Sequence, residues 1–451
     1  MINLRILVGT VGLLAAFVLP AGGAAAPFEA VSTFTYSQNM HPLGFSPRAN
    51  TPEPAFTANS DLAFWGHLAY HGNYDGFRIV DVSAPTNPRE LNDYRECAGN
   101  QGDVIVWNTL LIRSWNSPAA AGATCDGEPV PPSTLDANGW EGLHVFDVSN
   151  PLDPDLVASV ETLCGSHTET AVPDLAHNRL LIYNNSSSGT CPGLDIVEIP
   201  LDNPAAAHYL RFEPAGRSCH DGSVILGDAM LAACAGTISG QPGFTVWSIG
   251  GSRGGSLEDP EQLFSINVTG TTTGHSVAFS WDGKVLIFGS EPGGGSQPRC
   301  TPTGTVFPNG TVQTDEMKSL FFFSTADGSF LGKWTLPRDQ TLTENCTIHN
   351  YNVVPTKRGR VLVSGNYQSG IAVVDFTDPA HASEIAYADP APLDPNTLEL
   401  GGDWSSYWYD GRIYESDITR GLLIWDLSDP AVGGALKLGH LNPQTQEFTL
   451  G

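Results

Sequence analysis

GLHVFDVSNPLDP, residues 142–154, is the clearest of seven copies of one line spread along this chain. Its siblings are GFRIVDVSAPTNP from Gly76, GLDIVEIPLDNP from Gly193, GIAVVDFTDP from Gly370 and GLLIWDLSDP from Gly421. GFTVWSIGG from Gly243 and SLFFFSTADG from Ser319 are weaker copies. The start-to-start intervals are 66, 51, 50, 76, 51 and 51 residues. A fixed period of this length marks a repeat architecture, and the two long intervals read as the same unit carrying insertions. In the strong copies a glycine opens the line, where the chain turns into a strand without a Cβ penalty. The apolar, often β-branched run that follows is too short for a helix and is bounded by turn residues, so it reads as a strand. Strict polar alternation is missing, which predicts a strand covered on both faces. Asp81, Asp147, Asp375 and Asp426 end four of the runs, each followed by Ser or Thr and then by Pro85, Pro151, Pro379 or Pro430. These aspartates are either catalytic or metal carboxylates, or turn acceptors. Their recurrence once per unit favours turn chemistry.

The line is the third of four strands in each unit. NSDLAFWG, HLAYHGN, the Gly76 line and RELNDYR give the first unit, and the same order recurs from HTETAVP, from HSVAFS and from HNYNVVP. Four short antiparallel strands repeated in this way predict an all-β fold, a seven-bladed β-propeller over residues 59–441. The extra residues, 114–141 and 291–318, fall between second and third strands. That connection shares a face with the loop entering the next innermost strand, so one face is embellished. ALKLGHL, residues 435–441, is expected to supply the last unit's fourth strand. Residues 27–58 read as an irregular, Pro-rich N-terminal arm that braces the seam between first and last units, and 442–451 as a short C-terminal tail.

The chain has 451 residues, 21 Lys plus Arg against 48 Asp plus Glu, and a net charge of -27. So acidic a surface argues against nucleic acid and anionic membranes, both of which need clustered cations. Residues 1–26 combine Arg5, an apolar run and a small-residue end, the pattern of a secretory signal peptide. No later run approaches the ~18–20 apolar residues of a membrane span. The mature chain is therefore expected to be exported, extracellular and without a transmembrane segment. Its eight cysteines, an even number, suit an oxidising compartment. Repeat phase suggests the pairs Cys97–Cys125, Cys164–Cys191, Cys219–Cys234 and Cys300–Cys346; thiolate metal sites are the alternative, though no CxxC occurs.

The pattern Gly-apolar-x-apolar-Val-Asp-apolar-Ser-x-Pro resembles the LVIVD-repeat proteins, and the resemblance extends over nearly all of residues 59–441. The lines at Gly243 and Ser319 depart from it, lacking the acid and the proline. The resemblance implies a propeller-type fold and a secreted or surface location. It implies little about chemistry, since propellers host many functions.

Chemistry is most concentrated at the starts of innermost strands. His167, His220, His275 and His349 open four of them, with Glu169 and Asp221 beside two, and Asp61, Asp103 and Asp403 at comparable places. In a propeller these residues would ring one mouth of the axial channel. Imidazole plus carboxylate is a ligand set for zinc, copper or non-haem iron. Histidines from separate inner strands are used similarly by four-histidine iron oxygenases and some copper reductases built on propellers, a likeness of fold only. The competing reading is a solvated polar plug, and a third is metal-free acid–base catalysis. Two functions follow. One is a binding or scaffold module that takes an extracellular protein or glycan on its loop-rich, disulfide-stapled face. The other is a metal-dependent oxidase or hydrolase with the four histidines as ligands and Glu169 or Asp221 as partner or base. GGSRG, residues 250–254, sits in a glycine loop rather than a strand-to-helix elbow and is not read as a hydrolase nucleophile. Trp404, Tyr407, Trp408 and Tyr409 read as core between units rather than as a ligand groove.

Overall fold

A computed structural model describes residues 30–48, 58–135 and 139–451. The expected signal peptide, residues 1–26, lies outside them, as do residues 27–29 and 49–57 of the arm.

The regular structure of the described chain is almost all β, and within each unit the strands pair antiparallel. The first unit pairs Asn59–Trp65, Leu68–Asn73, Gly76–Asp81 and Arg89–Tyr94 in sequence order. The third pairs Thr168–Asp174, Arg179–Asn185, Gly193–Pro200 and His208–Pro214 in the same way. The repeated line is the third strand throughout, and its side chains are buried on both faces: Leu143, Val145 and Phe146 are all at 0% exposure. The first strands are Asn59–Trp65, Val104–Trp107, Thr168–Asp174, Gly222–Ile225, Gly274–Phe279, Asn350–Val353 and Asp403–Tyr409. Each abuts the next in that order, and the last abuts the first. Apolar clusters fill the space between neighbouring sheets: Phe322 stacks on Phe376 at 5.0 Å, and Phe64 on Tyr409 at 4.6 Å. Tyr407, Trp408 and Tyr409 are buried in these clusters.

Turn chemistry accounts for the repeated aspartates. The Asp81, Asp147 and Asp375 carboxylates accept from the backbone N–H two residues on, at 2.9, 2.8 and 2.8 Å. Asp426 instead pairs with Arg412 at 3.0 Å.

The ends of the chain depart from the sequence reading. The fourth strand of the last unit is not residues 435–441 but Met40–Pro47, within the segment expected to be irregular. It pairs antiparallel with Gly421–Leu427, Met40 opposite Leu427 and Pro47 opposite Gly421. Met40 is fully buried, and Gly44 passes so close to the first unit that a Cβ there would lie 1.9 Å from the Pro85 carbonyl oxygen. The buried Arg78 guanidinium of the first unit donates to Ser46 Oγ at 2.8 Å, so the seam is tied from both sides. Thr35–Tyr36 also pairs with the outer strand Ser383–Asp389 of the preceding unit. Of residues 435–441 only His440–Leu441 is strand, and it pairs with Trp65 and Phe64 of the first unit's inner strand.

The tail beyond it runs across the inner strands. Asn442 exchanges two hydrogen bonds with the Val106 backbone, both 2.8 Å, and Thr445 Oγ1 donates to Ala171 O at 2.7 Å. Thr445–Gln446 then pairs in parallel with Val224–Ile225, and Gln446 Nε2 donates to Phe279 O at 3.0 Å. The tail thus stitches inner strands of successive units together at the end remote from the histidines.

Disulfides join Cys97 to Cys125, Cys164 to Cys191, Cys219 to Cys234 and Cys300 to Cys346. The last ties the long insertion at residues 291–318 to the segment entering the next inner strand.

Met40→Ala should destabilise the protein by about 2–5 kcal/mol, the cost of a cavity at a fully packed site. Urea unfolding reads this directly. A change within about 0.5 kcal/mol would mean that the N-terminal strand is not part of the core.

Candidate metal centre at the inner-strand mouth

The four histidines lie at the start of consecutive inner strands: His167 just before Thr168–Asp174, His220 before Gly222–Ile225, His275 within Gly274–Phe279 and His349 before Asn350–Val353. Because each strand abuts the next, the rings form a continuous arc. Centroids are 4.3 Å apart from His167 to His220, 4.3 Å from His220 to His275, and 4.5 Å from His275 to His349. His167, His275 and His349 are buried, and His220 is the most open, its side chain 15% exposed.

Two carboxylates face this arc. Asp221 Oδ1 is 3.0 Å from His220 Nδ1, and its Oδ2 is 3.6 Å from His275 Nδ1. Glu291 Oε2 is 3.9 Å from His275 Nε2, and its Oε1 is 3.6 Å from His349 Nε2. The Tyr367 hydroxyl donates to Glu291 Oε1 at 2.6 Å. His349 Nδ1 lies 2.5 Å from Trp404 O, so it must carry the proton, and Nε2 is left with a lone pair. That lone pair faces a carboxylate oxygen. Two acceptors so placed repel unless a proton or a cation lies between them.

Donor atoms of His220, His275 and Glu291 lie within 4.8 Å of one another, as do those of His167, His220 and Asp221. Ligands of a single tetrahedral zinc are about 3.3 Å apart, given bonds of about 2.0–2.1 Å. The observed separations exceed this by a few tenths of an ångström in the pairs at 3.6–3.9 Å. The four histidines do not meet at one point: His167 and His349 stand at opposite ends of the arc and share no donor group.

Burial lowers the pKa of His167 and His275 well below the ordinary value, and the neighbouring imidazoles add to it. Burial also lowers His349, against the pull of Glu291. At His220 burial acts downward too, but the charge and hydrogen bond of Asp221 outweigh it and the net shift is upward. Three imidazoles are thereby held neutral, the form that binds metal.

Glu169 does not join this cluster, although the sequence places it beside His167. It is 2% exposed, neither carboxylate oxygen has a hydrogen-bond partner, and its charged neighbours are Asp103, Arg113 and Asp61. Burial raises its pKa well above the usual carboxylate range. Asp61 belongs to the same acidic group and accepts from Tyr407 Oη at 2.6 Å and Gln444 Nε2 at 3.0 Å. Asp403 is turned toward Ser406 and neighbours Glu415 and Asp417. Of the two carboxylates singled out beside the histidines, Asp221 is at the arc and Glu169 is not.

Sequence reasoning missed Glu291 and Tyr367, and read Trp404, which packs against His349, only as core. Glu291 leaves a second strand instead of entering a first, so the search among strand entrances passed over it. Tyr367 sits at φ +54°, a left-handed conformation uncommon for a bulky residue, and is fixed by reciprocal bonds with the Asp403 backbone at 2.8 and 2.9 Å. Its ring packs 4.5 Å from His349, and Trp404 packs 4.8 Å from the same ring. His144 is near Cys97 and Cys125, but those sulfurs are bonded to each other, and His144 stacks on Trp140 at 4.9 Å as a structural residue.

Four-stranded antiparallel sheets with inner strands in cyclic contact define a propeller-type protein. The LVIVD repeat profile matches residues 59–96 and 137–162, so the chain carries LVIVD repeats there, as the resemblance implied. No curated protein matches. Among solved structures, the Cps50 (Swd1) β-propeller domain of Myceliophteria thermophila aligns with a TM-score of 0.47 at 12% identity, covering 84% of this chain and 99% of that one. The computationally designed Ika8 protein aligns at 0.46 and 11% identity over 86% and 100%. A putative 6-phosphogluconolactonase from Bacteroides fragilis aligns at 0.46 and 9% identity over 88% and 98%.

Asp61 is pushed up to about 6 because burial outweighs its hydrogen bonds. The folded carboxyl therefore holds its proton more tightly than the unfolded one, whose value is 3.8. Its contribution to stability is full below that lower value and is lost as pH rises through about 6. Relative to Asp61→Asn, the native protein should lose about 2–3 kcal/mol on going from about pH 4 to about pH 7, measured by urea titration at both. Parallel stabilities for the two proteins would contradict the buried, raised carboxyl.

Proposed function

We propose that this chain is an exported, seven-bladed β-propeller that holds one transition-metal ion at the mouth of its axial channel and acts as a metal-dependent oxidase or hydrolase. The ligands are His220, His275 and Glu291, with His349 and Asp221 adjoining them. The observation that carries this reading is the His220–His275–Glu291 donor set, with an unprotonated His349 nitrogen facing the same carboxylate. A nitrogen and oxygen set of this kind suits zinc, copper or non-haem iron. Glu291, held by Tyr367, and Asp221 are the carboxylates placed to orient a ligand imidazole or to take a proton from a bound water. The count of seven blades is supported by the cyclic contact of the inner strands and by the N-terminal strand that completes the last sheet. Export is supported by four disulfides.

A second reading is an extracellular binding or scaffold module that works through the loop-rich face. The insertions at 114–141 and 291–318, both tied down by disulfides, favour it. Metal content separates the two. Purified protein should carry close to one equivalent of copper, iron or zinc by elemental analysis. His220→Ala with His275→Ala should lower this below about a tenth of an equivalent, and Glu291→Gln, a gentler change at the same centre, should lower it with the fold retained by circular dichroism. Metal-free protein that takes up none of the three ions on dialysis would leave only the binding reading.

A further inference from the structure

The insertion at residues 291–318 supplies Glu291 to the arc of histidines, and just beyond that residue it builds a second feature. Gly294, Gly295 and Ser296 form one wall of a pocket of about 90 Å³. Tyr367 and Trp404 form the wall toward the histidines, since each ring also packs on His349, at 4.5 and 4.8 Å. Gly295 brings the two walls together. A Cβ there would lie 2.2 Å from Tyr367 Oη and 2.7 Å from Glu291 Oε1, and its φ of +66° is one that glycine adopts freely. The pocket and the candidate metal centre are thus separated by one layer of side chains.

The chemistry of the wall is narrow. Among the described residues that line it, none is Asp, Glu, His, Lys or Arg, on a chain that has 48 Asp and Glu. Four larger clefts, of about 290 to 640 Å³, each carry charged side chains. The polar side chains of this wall are engaged within the protein. Asn345 Nδ2 donates to Gly295 O at 2.9 Å, and its Oδ1 accepts from Gln368 Nε2 at 2.8 Å. Ser296 Oγ donates to Gly293 O at 3.0 Å, and the Tyr367 hydroxyl is committed to Glu291. Tyr74, Tyr367 and Trp404 supply rings, Ile418 supplies aliphatic surface, and the exposed Leu400 marks the entrance.

Such a wall selects by what it fails to offer. A carboxylate or ammonium group entering it would lose hydration and find no charged partner. A sugar would leave its hydroxyls without hydrogen bonds. A flat ring, by contrast, gains apolar burial and edge or face contacts with the aromatic side chains. An apolar cavity of about 150 Å³ is known to hold benzene, so a pocket of this size with one open side has room for a single ring. We propose that this pocket binds a small uncharged molecule with one aromatic ring, such as a phenol, and that this is the substrate class of the adjoining centre. The binding stands by itself; the role as substrate rests on the proposed metal ion.

Calorimetric titration of the full chain with phenol, before and after loading with copper, tests both halves. Saturable binding is expected in either state. Cyclohexanol, which lacks a π face, should bind several-fold more weakly, and benzoate at least tenfold more weakly. Ser296→Trp and Leu400→Trp, each filling the pocket from its wall, should weaken phenol binding at least tenfold with circular dichroism unchanged. Leu175→Trp, at an exposed leucine outside the pocket, should leave it unaltered. Bound Cu(II), being paramagnetic, should broaden the proton resonances of phenol in the wild type and not in Ser296→Trp. No saturable binding, equal affinity for benzoate or cyclohexanol, or phenol binding unchanged in both pocket variants would overturn the proposed pocket. Binding without broadening, in protein that elemental analysis shows to hold copper, would overturn the role as substrate. Protein that takes up no copper yet binds phenol would remove the metal centre, and the substrate role with it, and leave the binding site standing.

Discussion

The pairing of Met40–Pro47 with Gly421–Leu427 is the constraint on which the rest of the molecule depends. Each sheet exposes two apolar faces that only neighbouring sheets can cover, so a row of such sheets is stable only if its ends meet. The N-terminal strand completes the last sheet and touches the first through Gly44, Ser46 and Arg78. With the seam closed, the first strands stand in cyclic contact. The residues that open them are then forced to one mouth, whatever their separation in sequence.

That constraint explains how four histidines spread between positions 167 and 349 come to lie ring against ring. It also brings buried carboxylates against the imidazoles. Burial keeps three of the imidazoles neutral, whereas Asp221 raises the fourth, His220. A metal ion at the proposed centre would use the lone pairs that burial leaves free. In the neighbouring acidic group of Asp61, Asp103 and Glu169, burial and mutual repulsion raise the pKa values of the carboxyls.

Much of this was legible in the sequence because it repeats. The Gly-to-Pro line located the third strands, and phase alone placed the cysteines in partner loops and the histidines at strand entrances. What was not legible breaks the repeat. The closing strand, MHPLGFSP, looks irregular because two prolines and a glycine interrupt it, yet at a sheet edge a proline loses no ladder bond. Residues 435–441 have a strand-like composition, but Met40–Pro47 already occupies the edge they would pair with. Glu291 and Tyr367 belong to loops whose course depends on tertiary contacts, and Tyr367 holds a left-handed backbone that no pattern in its neighbours announces. Glu169 shows the opposite failure: it stands two residues from His167 in sequence, yet its carboxylate lies among Asp103, Arg113 and Asp61 instead of at the arc.

The convergence of imidazoles from separate units on one ion is most directly tested by X-ray absorption spectroscopy of the zinc-loaded protein. The account predicts a first shell of nitrogen and oxygen at about 2.0–2.2 Å, with outer-shell scattering from at least two imidazoles that is diminished in His275→Ala. A six-oxygen shell without imidazole scattering, or a spectrum unchanged by that substitution, would contradict it.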